Sequence, residues 1–340
     1  MITDKSINNW ASNIIEITTN TDNTKAILNI IICSKDGFTI FKENEYNNWL
    51  EDKNTKIPLL NYILISNNNK DNNYSDCYLC CENGLKIVKK LFSKILKSIE
   101  DKAFDENILI KSGIILNDKI IVCKSNKIVS NGKNKLIFYN YISKSQIINN
   151  ANYSFIYFTN GLTTMPVKPI KTENENVKKN RILLCACKKY LKNQKNGILL
   201  INYEEEQNQT SINHIFYDTG NYEVYCFCQI LRFDKKKYIL NKCDDIRETD
   251  YFLVGGFDNN KIRGIIKLYK VNYGIKDNET TIEYIEDIII KDKGFKGFKG
   301  PISCITQSSK DGKILVSCWD GKVYLFDKPN IDYYLNYKKD

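Results

Sequence analysis

The sequence predicts an all-β protein built from repeated antiparallel units, and three observations lead to that fold class. Short apolar strands recur in pairs along the chain. The turns between several of these pairs carry Asp-Gly or Asn-Gly, which suit tight hairpins. The same plan of strand, turn and strand recurs, and recurrence of this kind indicates a repeat architecture. It is found in six segments, at residues 30–41, 76–88, 119–139, 181–203, 251–269 and 297–327.

Each unit extends beyond its hairpin. Apolar segments that suit an inner strand precede several hairpins, at 14–17, 224–228 and 302–305, and residues 154–167 are assigned loosely to the fourth unit. Such units are typical of β-propeller blades. We therefore expect one domain over residues 1–340, a β-propeller of six or seven four-stranded antiparallel blades. The best-matched blades are 13–42 and 222–328, and long loops are expected near 140–179 and 235–249, either of which could hold a seventh blade.

Turn residues and closure follow from this architecture. A two-residue hairpin turn needs positive φ at its centre, which Gly, Asn and Asp tolerate. The residues expected to form such turns are Asp36, Gly37, Asn83, Gly84, Asp320 and Gly321. A propeller avoids an open sheet edge when one terminus pairs with the blade at the other end of the chain. Residues 1–10 and 331–337 are both candidates for that closing strand.

The segment 86–99 departs from the strand pattern. Its apolar residues fall at helical spacing, with lysines mostly on the other face: Val88, Leu91, Phe92, Ile95, Leu96 and Ile99 against Lys89, Lys90, Lys94 and Lys97. A basic amphipathic helix could bind a membrane or a partner groove. The structural alternatives are outer strands of the second unit or a helix packed on the propeller, and the sequence favours these.

The formal net charge of +10 would suit an acidic partner such as nucleic acid or an anionic membrane. Lysine, asparagine and isoleucine are abundant together along the whole chain, which favours compositional bias as the source of the charge. Arginine, the better residue for phosphate and base contacts, occurs only at Arg181, Arg232, Arg247 and Arg263. We therefore expect no specific nucleic-acid binding, although the charge alone does not decide between function and composition.

The first twenty residues contain no basic segment followed by an apolar run, so we expect no signal peptide. No apolar stretch reaches the length of a membrane span. Twelve cysteines without a secretory signal are expected to stay reduced. We therefore expect the chain in the cytoplasm or the nucleus.

The cysteines raise the question of a metal site. Cys77 and Cys80 have the two-residue gap of half a zinc site, but a second half is missing. The alternative is structural, because free cysteine behaves as a small buried apolar residue. In favour of it, five cysteines sit at the end of the second strand of a unit: Cys33, Cys80, Cys123, Cys185 and Cys318. We expect core cysteines, no bound metal and no cofactor.

Catalytic signatures are sparse. His214 is the only histidine, which excludes sites that need two histidines, and it is expected on an outer strand. No Gly-x-x-x-x-Gly-Lys phosphate loop occurs. The acidic run 204–206 follows a strand, as a solvated loop does. We expect the protein not to be an enzyme.

The last unit resembles a WD repeat, the blade of WD-repeat propellers. Gly297-Phe298 stands where such repeats have Gly-His, and Phe326-Asp327 stands where they have Trp-Asp. Asp320 matches the aspartate of the turn, which in these repeats hydrogen-bonds the histidine. With Phe298 in the histidine's place, we expect apolar packing to replace that hydrogen bond. The resemblance is good over 250–328, recognisable over 14–42 and limited to the general pattern between them.

Residues 33–41 also resemble the first-blade motif of the PROPPINs, which are propellers that bind phosphoinositides. It implies lipid binding as an alternative function. The lipid site of that family uses two adjacent arginines, and no two arginines are adjacent here. We therefore do not expect lipid binding. A basic propeller subunit of an RNA-associated complex is the other alternative.

The resemblance to WD repeats implies a non-catalytic scaffold or adaptor that binds other proteins, in a multi-subunit complex. The candidate binding residues are Phe295, Lys296, Phe298 and Lys299, in a segment that repeats Phe-Lys-Gly. In WD repeats this position lies on the upper rim of the propeller. Glycines there allow close approach of a partner, and aromatic side chains can anchor in its pockets. The alternative is that both phenylalanines pack inside the protein.

Overall fold

The structure is a computed structural model. It describes residues 11–21, 25–34, 36–44, 49–56, 60–65, 77–81, 84–89, 97–99, 109–116, 119–125, 135–140, 145–148, 156–166, 170–171, 177–178, 180–189, 195–204, 209–230, 232–234, 239–241, 249–272, 280–290, 295–308 and 312–326. These residues form strands and turns, and none of them lies in an α-helix. Within them, no helix could therefore cross a membrane.

Three antiparallel sheets are formed by the first half of the chain, each from strands that are consecutive in sequence. Sheet one contains β1 (Ala11–Thr21), β2 (Lys25–Ser34), β3 (Gly37–Glu43) and β4 (Trp49–Lys56). Sheet two contains β5 (Leu60–Ile65), β6 (Cys77–Cys81), β7 (Gly84–Lys89) and β8 (Lys97–Ile99). Sheet three contains β9 (Leu109–Leu116), β10 (Lys119–Ser125), β11 (Lys135–Asn140) and β12 (Ser145–Ile148).

The second half of the chain continues the same plan, with two short ribbons inserted. Sheet four contains β13 (Ile156–Pro166), then, after the ribbon of β14 (Ile170–Lys171) and β15 (Val177–Lys178), β16 (Asn180–Lys189), β17 (Lys195–Glu204) and β18 (Gln209–Gly220). Sheet five contains β19 (Tyr222–Gln229), then, after the ribbon of β20 (Arg232–Asp234) and β21 (Ile239–Asn241), β22 (Thr249–Asp258), β23 (Arg263–Asn272) and β24 (Thr281–Asp287). Sheet six contains β25 (Ile302–Gln307), β26 (Ile314–Cys318) and β27 (Val323–Phe326).

The all-β class expected from the sequence is confirmed, and all six recurring segments contain a pair of neighbouring antiparallel strands. The apolar segments expected upstream form the first strand of their sheets, as β1, β13, β19 and β25 do. None of the sheets closes on itself in the described part of the chain. These units were predictable from the sequence because a strand that is buried on both faces consists almost entirely of apolar residues.

Two expected features of the chain are corrected by the strands. The interval 140–179 is not one long loop, because it contains β12, β13 and the β14–β15 ribbon. The interval 235–249 contains β21, which pairs with β20.

In the segment 86–99, the described residues are strands, since β7 pairs with β8 through Ile87 and Ile99. The structural reading as outer strands therefore holds for 84–89 and 97–99.

The hairpin glycines stand one position later than expected. Ser34 pairs with Gly37, so that Gly37, with φ of 148°, is the first strand residue after the turn rather than its centre. Cys81 pairs with Gly84 in the same way, and Asn83 lies outside the described residues. At Gly37 the positive φ still favours glycine at the point where the strand begins.

Both faces of sheet four are buried against neighbouring sheets, and successive residues of β16 point to opposite sides. Leu183, Cys185 and Cys187 pack with Ile121 and Cys123 of sheet three. The intervening residues Leu184 and Ala186 pack with side chains of sheet five, among them Tyr222, Val224, Phe252 and Val254. The period-two alternation of a strand therefore divides its residues between two interfaces instead of between core and solvent.

Sheet five meets sheet six through close backbone approach. A Cβ atom at Gly255 would lie 2.5 Å from Cys226 Sγ and 2.6 Å from Ile302 Cγ2. Leu253, Ile266 and Leu268 of sheet five are buried against β25 and β26. Glycine is required at position 255 because any side chain would separate these surfaces.

The first strands of the six sheets contact one another in succession: β1 with β5, β5 with β9, β9 with β13, β13 with β19, β19 with β25, and β25 with β1. The last contact joins the two ends of the described chain. It is lined by buried side chains from both sheets, Ile30, Ile32 and Phe41 from sheet one and Cys304, Leu315 and Val323 from sheet six. Burying these apolar side chains stabilises the contact between the first and last sheets.

Candidate protein-binding loop before β25

The candidate site is the segment 295–301, which enters β25, together with the turn 318–322 between β26 and β27. The turn closes with a hydrogen bond from the Gly321 N–H to the Cys318 carbonyl at 3.1 Å. Gly321 has φ of 78° and occupies the left-handed region that glycine favours. Asp320 and Gly321 are thus turn residues, as the sequence predicts.

Asp320 links the segment 295–301 to the turn 318–322 by hydrogen bonds. Its Oδ2 accepts hydrogen bonds from the Tyr324 hydroxyl at 2.8 Å and from the Lys299 N–H at 3.4 Å, and its Oδ1 accepts the Lys322 N–H at 3.1 Å. Charged acceptors make strong hydrogen bonds. Burial and the hydrogen bond to Asp320 raise the pKa of Tyr324, so its hydroxyl remains a proton donor at neutral pH.

The backbone of the segment accepts two further hydrogen bonds from residues of the turn. Cys318 Sγ donates to the Gly300 carbonyl at 3.2 Å, and the Trp319 N–H donates to the Pro301 carbonyl at 2.9 Å. Burial is the main reason that the pKa of Cys318 rises to about 12. The Trp319 ring lies 5.0 Å from that of Tyr225 in sheet five, so the turn also contacts the neighbouring sheet.

The two candidate aromatic anchors, Phe295 and Phe298, pack against other rings of the protein, as the structural alternative describes. The Phe298 side chain is 6% exposed, and Phe295 is half-buried. The Phe295 ring lies 5.0 Å from Phe298, 5.7 Å from Tyr324 and 5.2 Å from Phe326. Edge-to-face packing of this kind favours a fixed arrangement of the rings. The apolar packing expected around Phe298 is therefore present. Asp320 in addition accepts hydrogen bonds from Tyr324, Lys299 and Lys322, which were not predicted from the sequence.

The two candidate lysines lie on the surface. Lys296 and Lys299 are exposed, on either side of the buried Phe298. Gly297 has φ of 96° and an open space beside its Cα atom, so the backbone can turn there between the exposed and buried residues. The structure therefore brings the four predicted residues together and divides them into two packed aromatic side chains and two exposed cations.

The neighbouring turn of sheet five, residues 259–262, was not predicted from the sequence as part of this site. Phe298 and Gly264 form an isolated antiparallel bridge, which places this turn beside the candidate segment. The dipeptide Asn259-Asn260 is the signal that could have identified the turn, since asparagine favours turns. Its residues Ile262 and Arg263 are exposed, and they extend the candidate surface onto sheet five.

The cysteines are buried and form no disulfide bonds wherever the structure describes their side chains, including the five that the sequence placed in second strands. Burial first, and then a hydrogen bond and charge repulsion with Cys123, raise the pKa of Cys185. In the described part of the chain, no group of three or more His, Cys, Asp or Glu side chains is arranged to hold a metal ion. The side chain of His214 lies outside the described part.

Comparison with protein-family models finds no match for this chain, and comparison with curated proteins finds none either.

Proposed function

We propose that the chain is a non-catalytic scaffold or adaptor, a six-sheet β-propeller of the WD-repeat kind that binds other proteins. The observation that carries the proposal is the succession of contacts between the first strands, which returns from β25 to β1. Six sheets that each pack on the next, with the last packing on the first, match the arrangement of propeller blades around an axis. The antiparallel order of the strands within each sheet matches that of a propeller blade.

A ring of this kind suits a scaffold because its sheets hold the loops in fixed positions. Functional residues concentrate in loops that a rigid framework positions. The Asp320 hydrogen bonds and the rings around Phe298 fix the segment before β25 in this way. Lys296 and Lys299 then present their charges from a loop that has little freedom to move.

The proposal contains no catalytic step. The thiols of Cys318 and Cys228 are poor nucleophiles, because burial raises the pKa of both to about 12. Free buried cysteines also suit a reducing compartment, so the proposal includes a cytoplasmic or nuclear location and membership of a multi-subunit complex.

The test is the recovery of a stoichiometric partner. The full chain would carry an affinity tag, and complexes purified under mild conditions would be weighed by native mass spectrometry and mapped by chemical cross-linking. We expect one or more proteins in a fixed ratio to the chain, with cross-links to lysines of the described loops. A chain that is recovered alone, at every salt concentration that preserves its fold, would contradict the scaffold function.

A further inference from the structure

The turn between β22 and β23 holds an isoleucine in an unfavourable conformation. Ile262 has φ of 49°, and its side chain is 77% exposed. A β-branched residue rarely adopts the left-handed region, and such strain costs on the order of 1–3 kcal/mol. Glycine or asparagine would fit this position without that cost. The exposed side chain gains little packing within the protein in return.

The turn itself is held by hydrogen bonds that do not involve the isoleucine side chain. Asp258 Oδ1 accepts the N–H groups of Asn260 at 2.9 Å and Lys261 at 3.1 Å. The Asn259 N–H donates to the Asn221 carbonyl at 3.1 Å. The backbone conformation is therefore imposed by the turn, and the isoleucine side chain projects from a fixed position.

The bridge between sheets five and six joins this turn to the candidate loop. Because Gly264 and Phe298 pair in antiparallel fashion, Arg263 and Lys299 are the next residues on the same side of the bridge. A Cβ atom at Gly264 would clash with the Gly300 carbonyl and would lie 2.9 Å from Phe298 Cβ. Glycine therefore permits the two segments to form one surface.

Within the described part of the chain, this surface carries cations that have no ion-pair partner. Arg263, Lys296 and Lys299 are exposed, and no acidic side chain of the described residues forms an ion pair with them. Lys261, in the same turn, differs because it pairs with Asp287 at 2.9 Å. We call Ile262, Arg263, Lys296 and Lys299 the basic patch.

We propose that the basic patch binds an acidic segment of a partner protein, one in which carboxylates flank an apolar side chain. This rests on the proposed scaffold function and specifies the chemistry of the partner. The carboxylates pair with Arg263, Lys296 and Lys299, and arginine offers a bidentate geometry to one of them. The apolar side chain covers Ile262, which removes its exposed surface from water.

A protein segment fits this surface better than a phosphate polymer or a lipid surface. Two carboxylates border the patch, since Asn259 of the same turn donates to Glu223 Oε1 at 3.3 Å and the Lys299 N–H donates to Asp320. These carboxylates repel a continuous row of phosphates more strongly than a peptide that carries only the few carboxylates that pair with the patch. The exposed Ile262 side chain also offers nothing to a phosphate group, whereas it suits a leucine, isoleucine or phenylalanine of a peptide.

The test begins with a phage-displayed library of random dodecapeptides selected on the full chain at physiological ionic strength. We expect enriched peptides in which aspartate or glutamate flanks an apolar residue. An enriched peptide would then be synthesised, and its affinity measured by fluorescence anisotropy. The double variant Arg263→Glu and Lys299→Glu is expected to weaken binding by about tenfold or more, and added salt is expected to weaken binding to the wild type.

Two variants separate binding from folding. Ile262→Asn removes the apolar side chain but tolerates positive φ, so it is expected to keep or raise the unfolding temperature while lowering the affinity for the peptide. Lys56→Glu, at an exposed lysine at the end of β4 in sheet one, reverses one charge far from the patch in sequence and is expected to leave the affinity unchanged.

The proposal is overturned if no peptide is enriched, if the enriched peptides lack carboxylates, or if the double variant binds them as the wild type does. Binding of phosphatidylserine vesicles or single-stranded RNA that depends on the patch, at an affinity equal to that of the peptide, would also overturn it. The scaffold function would survive any of these results if a stoichiometric partner is recovered whose binding the double variant does not alter. Absence of any partner would instead contradict the scaffold function itself.

Discussion

The Tyr324 hydroxyl donates a hydrogen bond to Asp320 Oδ2 at 2.8 Å, and this bond joins the start of β27 to the turn before it. The same oxygen accepts the Lys299 N–H, so a single carboxylate links the turn, the strand and the segment that enters β25. The proposed likeness to WD repeats implies that the aspartate of the turn would bind a histidine at position 298. Here Phe298 takes that place, and a tyrosine and two backbone N–H groups are the donors to Asp320.

Asp320→Ala is expected to destabilise the protein, because it leaves three donors without their acceptor. Hydrogen bonds to a charged group contribute about 1.5–3 kcal/mol to the free energy of unfolding. Tyr324→Phe removes one of the three bonds and is the matched control, with an expected loss of about 0.5–1.5 kcal/mol. Urea denaturation of both variants measures the difference. Equal losses in the two variants would mean that the backbone N–H groups gain nothing from Asp320.

Gly255→Ala is expected to disturb the contact between sheets five and six, because its new methyl group would lie 2.6 Å from Ile302 Cγ2 of β25 and 2.5 Å from Cys226 Sγ. Overpacking of this kind costs about 1–3 kcal/mol. Adding Cys226→Ala makes room for part of the methyl group, so the double variant is expected to be more stable than the sum of the two single changes predicts. Strict additivity in urea denaturation would show that these two residues are not in contact.

Tyr222→Phe is expected to lower the free energy of unfolding by about 1–3 kcal/mol, because buried carbonyl oxygens lose the tyrosine hydroxyl as their hydrogen-bond donor. The Tyr222 hydroxyl lies 2.8 Å from the carbonyl oxygens of both Val254 and Ile265, deep in sheet five. The fully buried ring itself keeps its packing in the variant. Thermal unfolding followed by circular dichroism measures the change, and an unchanged midpoint would place this hydroxyl in contact with water.

Asp287 is expected to make stability depend on pH in the acidic range. Partial burial acts to raise its pKa, but hydrogen bonds from Lys261 and Tyr284 and the charge of Lys267 outweigh burial and hold the pKa below its usual 3.8. A carboxyl group with a lowered pKa stabilises the fold fully above its usual pKa, and this contribution is lost as the pH falls through the lowered value. The difference in urea midpoint between wild type and Asp287→Asn should therefore be largest near neutral pH and vanish in acid.

The exposed neighbour Glu286 supplies the control for this pH dependence. Glu286→Gln removes a carboxylate from the same strand without removing the contacts to Lys261 and Tyr284. We expect it to change the urea midpoint much less than Asp287→Asn does at neutral pH. A constant difference between wild type and Asp287→Asn at all pH values would show that the carboxylate charge is not involved.

The buried thiols are expected to resist alkylation in the native protein. Burial raises the pKa of Cys228 and Cys318 to about 12, so the reactive thiolate is scarce at mildly alkaline pH. Iodoacetamide labelling, resolved by peptide mass spectrometry, should be slow at both residues in native protein and fast after denaturation. Equal labelling rates in the two states would contradict their burial.

The sequence predicts the strands that are marked by local apolar runs, but it does not predict features that depend on contacts between distant segments. The hairpins were predictable because strands such as β16 and β26, buried on both faces, read as apolar runs that end in cysteine. The first strand of sheet four was harder, because β13 contains Asn160-Gly161 and several threonines, which read as a loop. Gly161 is there because a Cβ atom would lie 2.9 Å from the Tyr225 carbonyl of sheet five, and this contact has no local signal.

The candidate surface was predictable only in part for the same reason. Repeated Phe-Lys-Gly drew attention to the segment 295–301, but spacing alone could not tell a packed phenylalanine from an exposed one. The partners of Phe298 come from β27, through Tyr324 and Phe326. Ile262 and Arg263 joined the surface through a single bridge between distant segments, and hydrophobic periodicity contains no information about such a bridge.

The central claim is that the six sheets form a ring in which the first packs on the last. The most direct measurement is a methyl NOE spectrum of the protein labelled at its Ile, Leu and Val methyl groups. The ring predicts cross-peaks from Ile30 or Ile32 of β2 to Leu315 of β26 or Val323 of β27, because these side chains share one buried cluster. If Ile30 and Ile32 give cross-peaks within sheet one but none to sheet six, the ring is open and the propeller assignment is wrong.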